Sequence, residues 1–142
     1  MIEVENLSFK GAERFSARML AHYIRNPNGS ILTDVIEYLG EPVGYAVFFT
    51  RKGSGSVYIQ SICLLPQMRG MGVAFRYLER KLAGFRERFQ SVHLRSRTGN
   101  VSAKRLYHSL GFKTIGSERA YYPNGEDALR MRLSLHHTGG SF

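Results

Sequence analysis

The segment that most narrows the possible folds is PQMRGMGVA at positions 66–74, set between an apolar run at 57–65 and an amphipathic pattern at 72–89. A run that apolar suits a strand in the middle of a sheet, covered on both faces. The pattern after it places Val73, Ala74, Tyr77, Leu78, Leu82 and Phe85 near one face, with Arg76, Glu79, Arg80, Lys81, Glu87 and Arg88 on the other. That is the signature of a helix packed against a sheet. At the junction, Gly70 and Gly72 let the backbone approach an anion with no side chain in the way. The first free N–H groups and the positive dipole end of the helix face the same spot, and Arg69 adds a fixed charge. Taken alone, the stretch reads either as a plain strand-to-helix turn or as a phosphate cradle.

The elements around this junction can be read from pattern. Positions 12–25 suit a helix, with Phe15, Met19 and Ile24 among its apolar positions, ending before Asn26, Pro27, Asn28 and Gly29. Strands are predicted at 33–39 and 42–50, joined as a hairpin at Gly40 and Glu41, and a second turn at 53–55 leads into the strand at 57–65. After the helix at 72–89 come a strand at 91–97 and a helix that Asn100 caps, carrying Val101, Ala103, Leu106, Tyr107 and Leu110 and closed by a left-handed Gly111. Strands at 112–120 and 128–135 close the fold, joined by the loop at 121–127. This order describes an α/β (α+β) mixed sheet, mostly antiparallel. The strands at 57–65 and 91–97 are joined by a helical crossover and therefore run parallel. A parallel pair that splays at its carboxyl ends opens a crevice, which is where open α/β sheets bind ligands. A single domain over 1–135 is expected, with 136–142 a frayed tail.

Composition excludes several classes. The chain has 142 residues, with 43% hydrophobic and 22% charged, values of a globular protein and not a disordered one. No apolar run has the length of a bilayer span, and residues 1–10 lack the layout of a secretory signal, so a soluble, cytoplasmic protein is expected. Cys63 is the single cysteine, which rules out an intrachain disulfide. Histidines 136 and 137 are adjacent, and His22, His93 and His108 are scattered without a cysteine cluster, so no metal is expected. The formal net charge of +9 favours an anionic partner, which leaves nucleic acid, an acidic protein surface and a phosphate-rich cofactor all open.

Two segments carry a resemblance. Arg69, Gly70, Met71, Gly72, Val73 and Ala74 match the (Arg or Gln)-x-x-Gly-x-(Gly or Ala) acetyl-CoA motif of the GNAT acetyltransferases. Asn100, Ala103, Leu106, Tyr107, Leu110, Gly111 and Phe112 match the second motif of that superfamily, N-x-x-A-x-x-L-Y-x-x-x-G-F. Both occur in order with a strand between them, and the element order is similar to the GNAT fold. The stretch Tyr121, Tyr122, Pro123, Asn124, Gly125, Glu126, Asp127, Ala128, followed by Arg130, Met131 and Leu133, resembles a segment of the RimI-like ribosomal-protein alanine N-acetyltransferases. The chain departs from that group at Arg95, where the group has a glutamate five positions before its motif asparagine, and at Thr114, an acidic position there.

The resemblance implies acetyl transfer from acetyl-CoA to a primary amine by direct attack, with a protein or peptide N-terminus as the leading acceptor. A small-molecule amine is the alternative within the same chemistry, and a noncatalytic CoA- or nucleic-acid-binding module is the competing class. It places the pyrophosphate on residues 70–74 with Arg69, the pantetheine arm along Ile62, Cys63 and Leu64, an oxyanion donor such as the Leu64 N–H, and Asn100 beside the arm. Tyr107 becomes the acid for the leaving thiolate, although its apolar helical face also suits the core. Tyr58, Gln60, Tyr121 and Tyr122 are candidates for the acceptor side. The general base is left open among Tyr58, His93, Tyr122 and water, and the oligomeric state and the acceptor's identity are likewise open.

Overall fold

The computed structural model describes residues 30–135. The helix expected at 12–25 and the tail expected at 136–142 lie outside the described residues. Within them the order is β1 (Ser30–Tyr38), β2 (Glu41–Thr50), β3 (Ser56–Leu64), a 3₁₀ turn at Pro66–Met68, α1 (Val73–Phe85), β4 (Ser91–Arg97), α2 (Val101–Ser109), β5 (Lys113–Glu118) and β6 (Ala128–Ser134). The strands form one six-stranded sheet in the order β1-β2-β3-β4-β6-β5. All neighbours are antiparallel except β3 and β4, which run parallel across the α1 crossover. The mixed, mostly antiparallel sheet read from the sequence is therefore the one observed.

The parallel pair positions the site. Register runs from Ser56 opposite Ser91 to Ile59 opposite Leu94 and stops there, although β3 continues to Leu64 and β4 to Arg97. Beyond Ile59 the two strands part, and amides of β3 that point towards β4 lose their ladder partners. On its other side β3 stays paired to β2, with a bulge at Gln60, because Val47 opposes Ser61 while Phe48 opposes Ile59.

One face of the sheet is closed by α1, which buries Val73, Leu78, Leu82 and Phe85. Phe85 meets Phe48 edge-on, with ring centroids 5.3 Å apart. At the β1 edge, Tyr77 donates to Asp34 at 2.5 Å and Lys81 pairs with the same carboxylate at 2.9 Å. Helix α1 ends at Phe85, four residues before the predicted end at 89. The apolar period continues because Phe89 packs edge-on against Phe85 at 5.5 Å, but it does so from a turn that brings Gln90 N–H onto the Gly55 carbonyl and starts β4. β5 is shorter than the predicted 112–120 for two local reasons. Phe112 is buried as part of the preceding helix cap, and Ala120, at φ 50°, gives its N–H to Asp127 Oδ1.

Candidate active site

A cleft of about 700 Å³ lies where β3 and β4 part. One wall is the end of β3 and the start of α1, with Ile62, Leu64, Arg69, Gly70, Gly72 and Ala74; the other is α2, with Asn100, Ala103, Leu106 and Tyr107. Gly70 and Gly72 have φ 76° and 77°, a region costly for any residue with a Cβ, and a Cβ built on either would meet nothing within 4 Å. The backbone thus bends into open space and leaves a concavity, while no side chain caps α1, so its first-turn amides keep no side-chain partner. Arg69 stands beside them. This concavity of amides and one guanidinium suits a pyrophosphate.

Local chemistry at α2 sets the opposite wall. Asn100 Oδ1 accepts from Ala103 N–H at 3.1 Å and caps the helix, which leaves its amide N–H2 donors and a second oxygen lone pair for contacts into the cleft. At the other end Gly111, at φ 100°, allows Phe112 N–H to reach the Tyr107 carbonyl at 3.0 Å and its own N–H to reach that of His108 at 3.0 Å. These are the paired bonds of a Schellman cap, and the apolar contact that accompanies such a cap is here the Tyr107 ring against Phe112, 5.5 Å between centroids. The cap therefore orients Tyr107. Its side chain is partly exposed and lines the cleft, and the phenol oxygen has no hydrogen-bond partner among the described residues. Burial, then the neighbouring Cys63 and Tyr122, push this phenol well above the ordinary tyrosine range, so it holds its proton at neutral pH.

The remaining candidates are distributed around this centre. Cys63 is buried at 1% exposure and Met71 is exposed at 46%; neither lines the cleft with its neighbours. Tyr122 is buried beside Tyr107, with the Arg97 guanidinium 4.0 Å from its ring centroid, and burial raises its phenol. Tyr58 accepts from Arg95 Nη1 at 3.0 Å and is likewise raised by burial first. Arg95 in turn pairs through Nε with Glu118 Oε1 and lies 4.9 Å from the Tyr121 ring centroid. The aromatic wall of Tyr122, Tyr58 and Tyr121 thus leads away from Tyr107, backed by two arginines. Gln60 sits in the β3 bulge, between Ile59 and Ser61. His93 belongs elsewhere: it lines a separate cavity of about 430 Å³ with Tyr58, Arg51 and Ser54, bonds Ser91 Oγ through Nε2 at 3.1 Å, and is lowered by burial and then by Arg132.

The loop at 121–127 is strapped to the end of β4 and the turn that leads into α2. Gly99 N–H donates to Glu126 Oε2 at 2.8 Å, Arg97 Nη1 donates to Oε1 at 3.3 Å, and Thr98 N–H donates to the Asp127 carbonyl at 3.2 Å. Sequence reasoning missed this strap, since the partners are far apart in the chain. It also missed Arg105, which lines the α2 wall. The only signal for Arg105 was its helical spacing from Ser102 and Ser109. Among the described residues no group of three or more metal-ligating side chains occurs, and no helix is long and apolar enough to cross a membrane.

Known proteins resemble this chain in sequence and in fold. The profile of the acetyltransferase (GNAT) family matches residues 2–112. An N-alpha-acetyltransferase of Sulfurisphaera tokodaii is 32% identical over 113 residues, covering 71% of this chain and 68% of that protein. The N-alpha-acetyltransferase RimI of Mycobacterium tuberculosis is 38% identical over 97 residues, 66% of this chain and 60% of that protein. In fold, the chain is similar to the ribosomal-protein-S18-alanine N-acetyltransferase of Escherichia coli, with a TM-score of 0.73 at 21% identity over 94% of this chain and 93% of that one.

Proposed function

Because this chain belongs to the acetyltransferase (GNAT) family, whose enzymes pass the acetyl group of acetyl-CoA to an amine, we propose that its acceptor is the α-amine of a protein or peptide N-terminus. The observation that carries the reading is the single cleft joining the glycine concavity of α1 to the phenol of Tyr107, which has no hydrogen-bond partner among the described residues. Acetyl-CoA supplies an activated thioester. Gly70, Gly72 and the first turn of α1 bind its pyrophosphate with Arg69, and Ile62, Leu64 and Ala103 offer apolar surface to the arm. An amide at the free end of β3, such as that of Leu64, is assigned to the carbonyl oxygen, where charge develops. Tyr107, protonated at neutral pH, donates to the sulfur as the C–S bond breaks, and its phenolate recovers the proton that the newly acylated nitrogen sheds.

Acceptor class follows from proton bookkeeping. The phenols of Tyr58, Tyr107 and Tyr122 are all raised, so none removes a proton from an ammonium at pH 7. Of the carboxylates nearby, Glu118 is engaged by Arg95 and Glu126 by Gly99 and Arg97. Among the described residues no free base stands at the centre, which favours an amine that is already partly neutral. An α-amine, of pKa about 7.7–8.0, exceeds a lysine side chain of pKa ~10.4 in free-base fraction by a few hundredfold near neutrality. The names of the two sequence relatives support the same acceptor.

The test couples calorimetry with acetyl-CoA to a thiol-release assay over peptides with free and blocked N-termini, lysine peptides and polyamines. Free N-termini are expected to react and blocked ones to fail, with kcat/KM rising through about pH 8 as the amine loses its proton. Faster transfer to lysine peptides or polyamines would overturn the N-terminal reading, and absence of acetyl-CoA binding would overturn the assignment of the donor cleft.

A further inference from the structure

We propose that Arg105 is a second anion clamp of the donor cleft and that it takes the ribose 3′-phosphate of acetyl-CoA. The proposal rests on reading the cleft as an acetyl-CoA site. Arg69 and Arg105 are the cationic side chains on the cleft lining, and no carboxylate lies among the described lining residues. They stand on opposite walls. Arg69 adjoins the glycine concavity at the start of α1, whereas Arg105 projects from α2.

Helical geometry separates Arg105 from the reacting end. Successive residues turn by about 100°, so Arg105 and Tyr107 lie about 200° apart and mark the two margins of the α2 wall, with Ala103 and Leu106 between them. Tyr107 and Leu106 pack against the core, which makes theirs the inner margin. Arg105 is exposed and flanked by exposed Ser102 and Ser109, which makes its margin the mouth. Among the described residues its guanidinium has neither an ion-pair nor a hydrogen-bond partner. Acetyl-CoA carries its negative charge in two places, the pyrophosphate and the 3′-phosphate at the end remote from the thioester. With the thioester at Tyr107 and the pyrophosphate on the α1 amides, the terminal phosphate is the group left for a cation at the mouth. A guanidinium offers paired donors that match a phosphate.

The experiment is calorimetric titration of the full chain and of its Arg105→Ala and Arg105→Lys variants with two probes, CoA and 3′-dephospho-CoA. Melting temperatures of the variants serve as the check on folding, since an exposed side chain is being changed. Arg105→Ala is expected to weaken CoA about tenfold while changing 3′-dephospho-CoA by less than about twofold, with Arg105→Lys between. Equal losses for both probes, or no loss for either, would overturn the assignment of Arg105 and leave the cleft intact. Failure of the unsubstituted chain to bind either probe would instead overturn the cleft reading itself.

Discussion

The phenol of Tyr107 reaches its place through the chemistry of a helix end: Gly111 turns left-handed, Phe112 folds back, and the two rings meet. Removing only the hydroxyl leaves that packing in place. Tyr107→Phe is therefore expected to lower kcat by about a hundredfold while the acetyl-CoA dissociation constant stays within about twofold, measured by steady-state kinetics and calorimetry. Gly72 has the opposite profile. A Cβ there is strained at φ 77° by about 1–2 kcal/mol and projects into the space assigned to pyrophosphate. Gly72→Ala is expected to weaken acetyl-CoA about tenfold by calorimetry, with a smaller effect on kcat. Both residues were legible in the sequence because each sits in a short local pattern. Arg95 was legible only as a departure from a related group; its bonds to Tyr58 and Glu118 were not, because those partners lie 37 and 23 positions away.

At the level of elements, the β1–β2 hairpin turns at Leu39 and Gly40, with φ 53° and 82°, one residue earlier than the predicted Gly40 and Glu41. Two consecutive positive φ values define the type I′ turn that matches strand twist, and the first position favours asparagine over leucine. Leu39 is 86% exposed and loses no core contact when replaced. Leu39→Asn is expected to raise stability by about 0.5–1 kcal/mol, read from denaturant midpoints. The strap at the 121–127 loop makes a different prediction. Glu126 is held below the usual carboxylate range, first by Gly99 N–H and then by Arg97 and Asn124. A depressed folded pKa means that the strap's contribution is complete above the unfolded value near ~4.3 and fades as pH falls through the lower folded one. Tyr121 and Tyr122 ride on this loop, so Glu126→Ala is expected to raise the acceptor KM about threefold to tenfold at neutral pH with kcat little changed. A proportional fall in kcat would show that the strap acts on the chemistry instead.

Across the described residues as a whole, one core under α1 holds the sheet in the shape that opens the cleft. Phe48, with 0% exposure, bridges the layers through its edge contact with Phe85. Phe48→Ala is expected to cost about 3–5 kcal/mol in chemical unfolding, a large part of the ~5–15 kcal/mol typical of a domain, and to abolish acetyl-CoA binding where the chain no longer folds. The sequence by itself determined the type and order of the described elements, the glycine concavity, the Asn100 cap and the Gly111 stop. Each of these depends on residues within about one helical turn or one strand pair, where propensity and sterics act. Only the tertiary structure decided that β3 and β4 part after Ile59 and Leu94, that Tyr122 and Tyr58 lead away from Tyr107, and that Arg105 lines the same cleft as Arg69. Those facts come from long-range register, bulges and packing, which join positions that no local pattern connects.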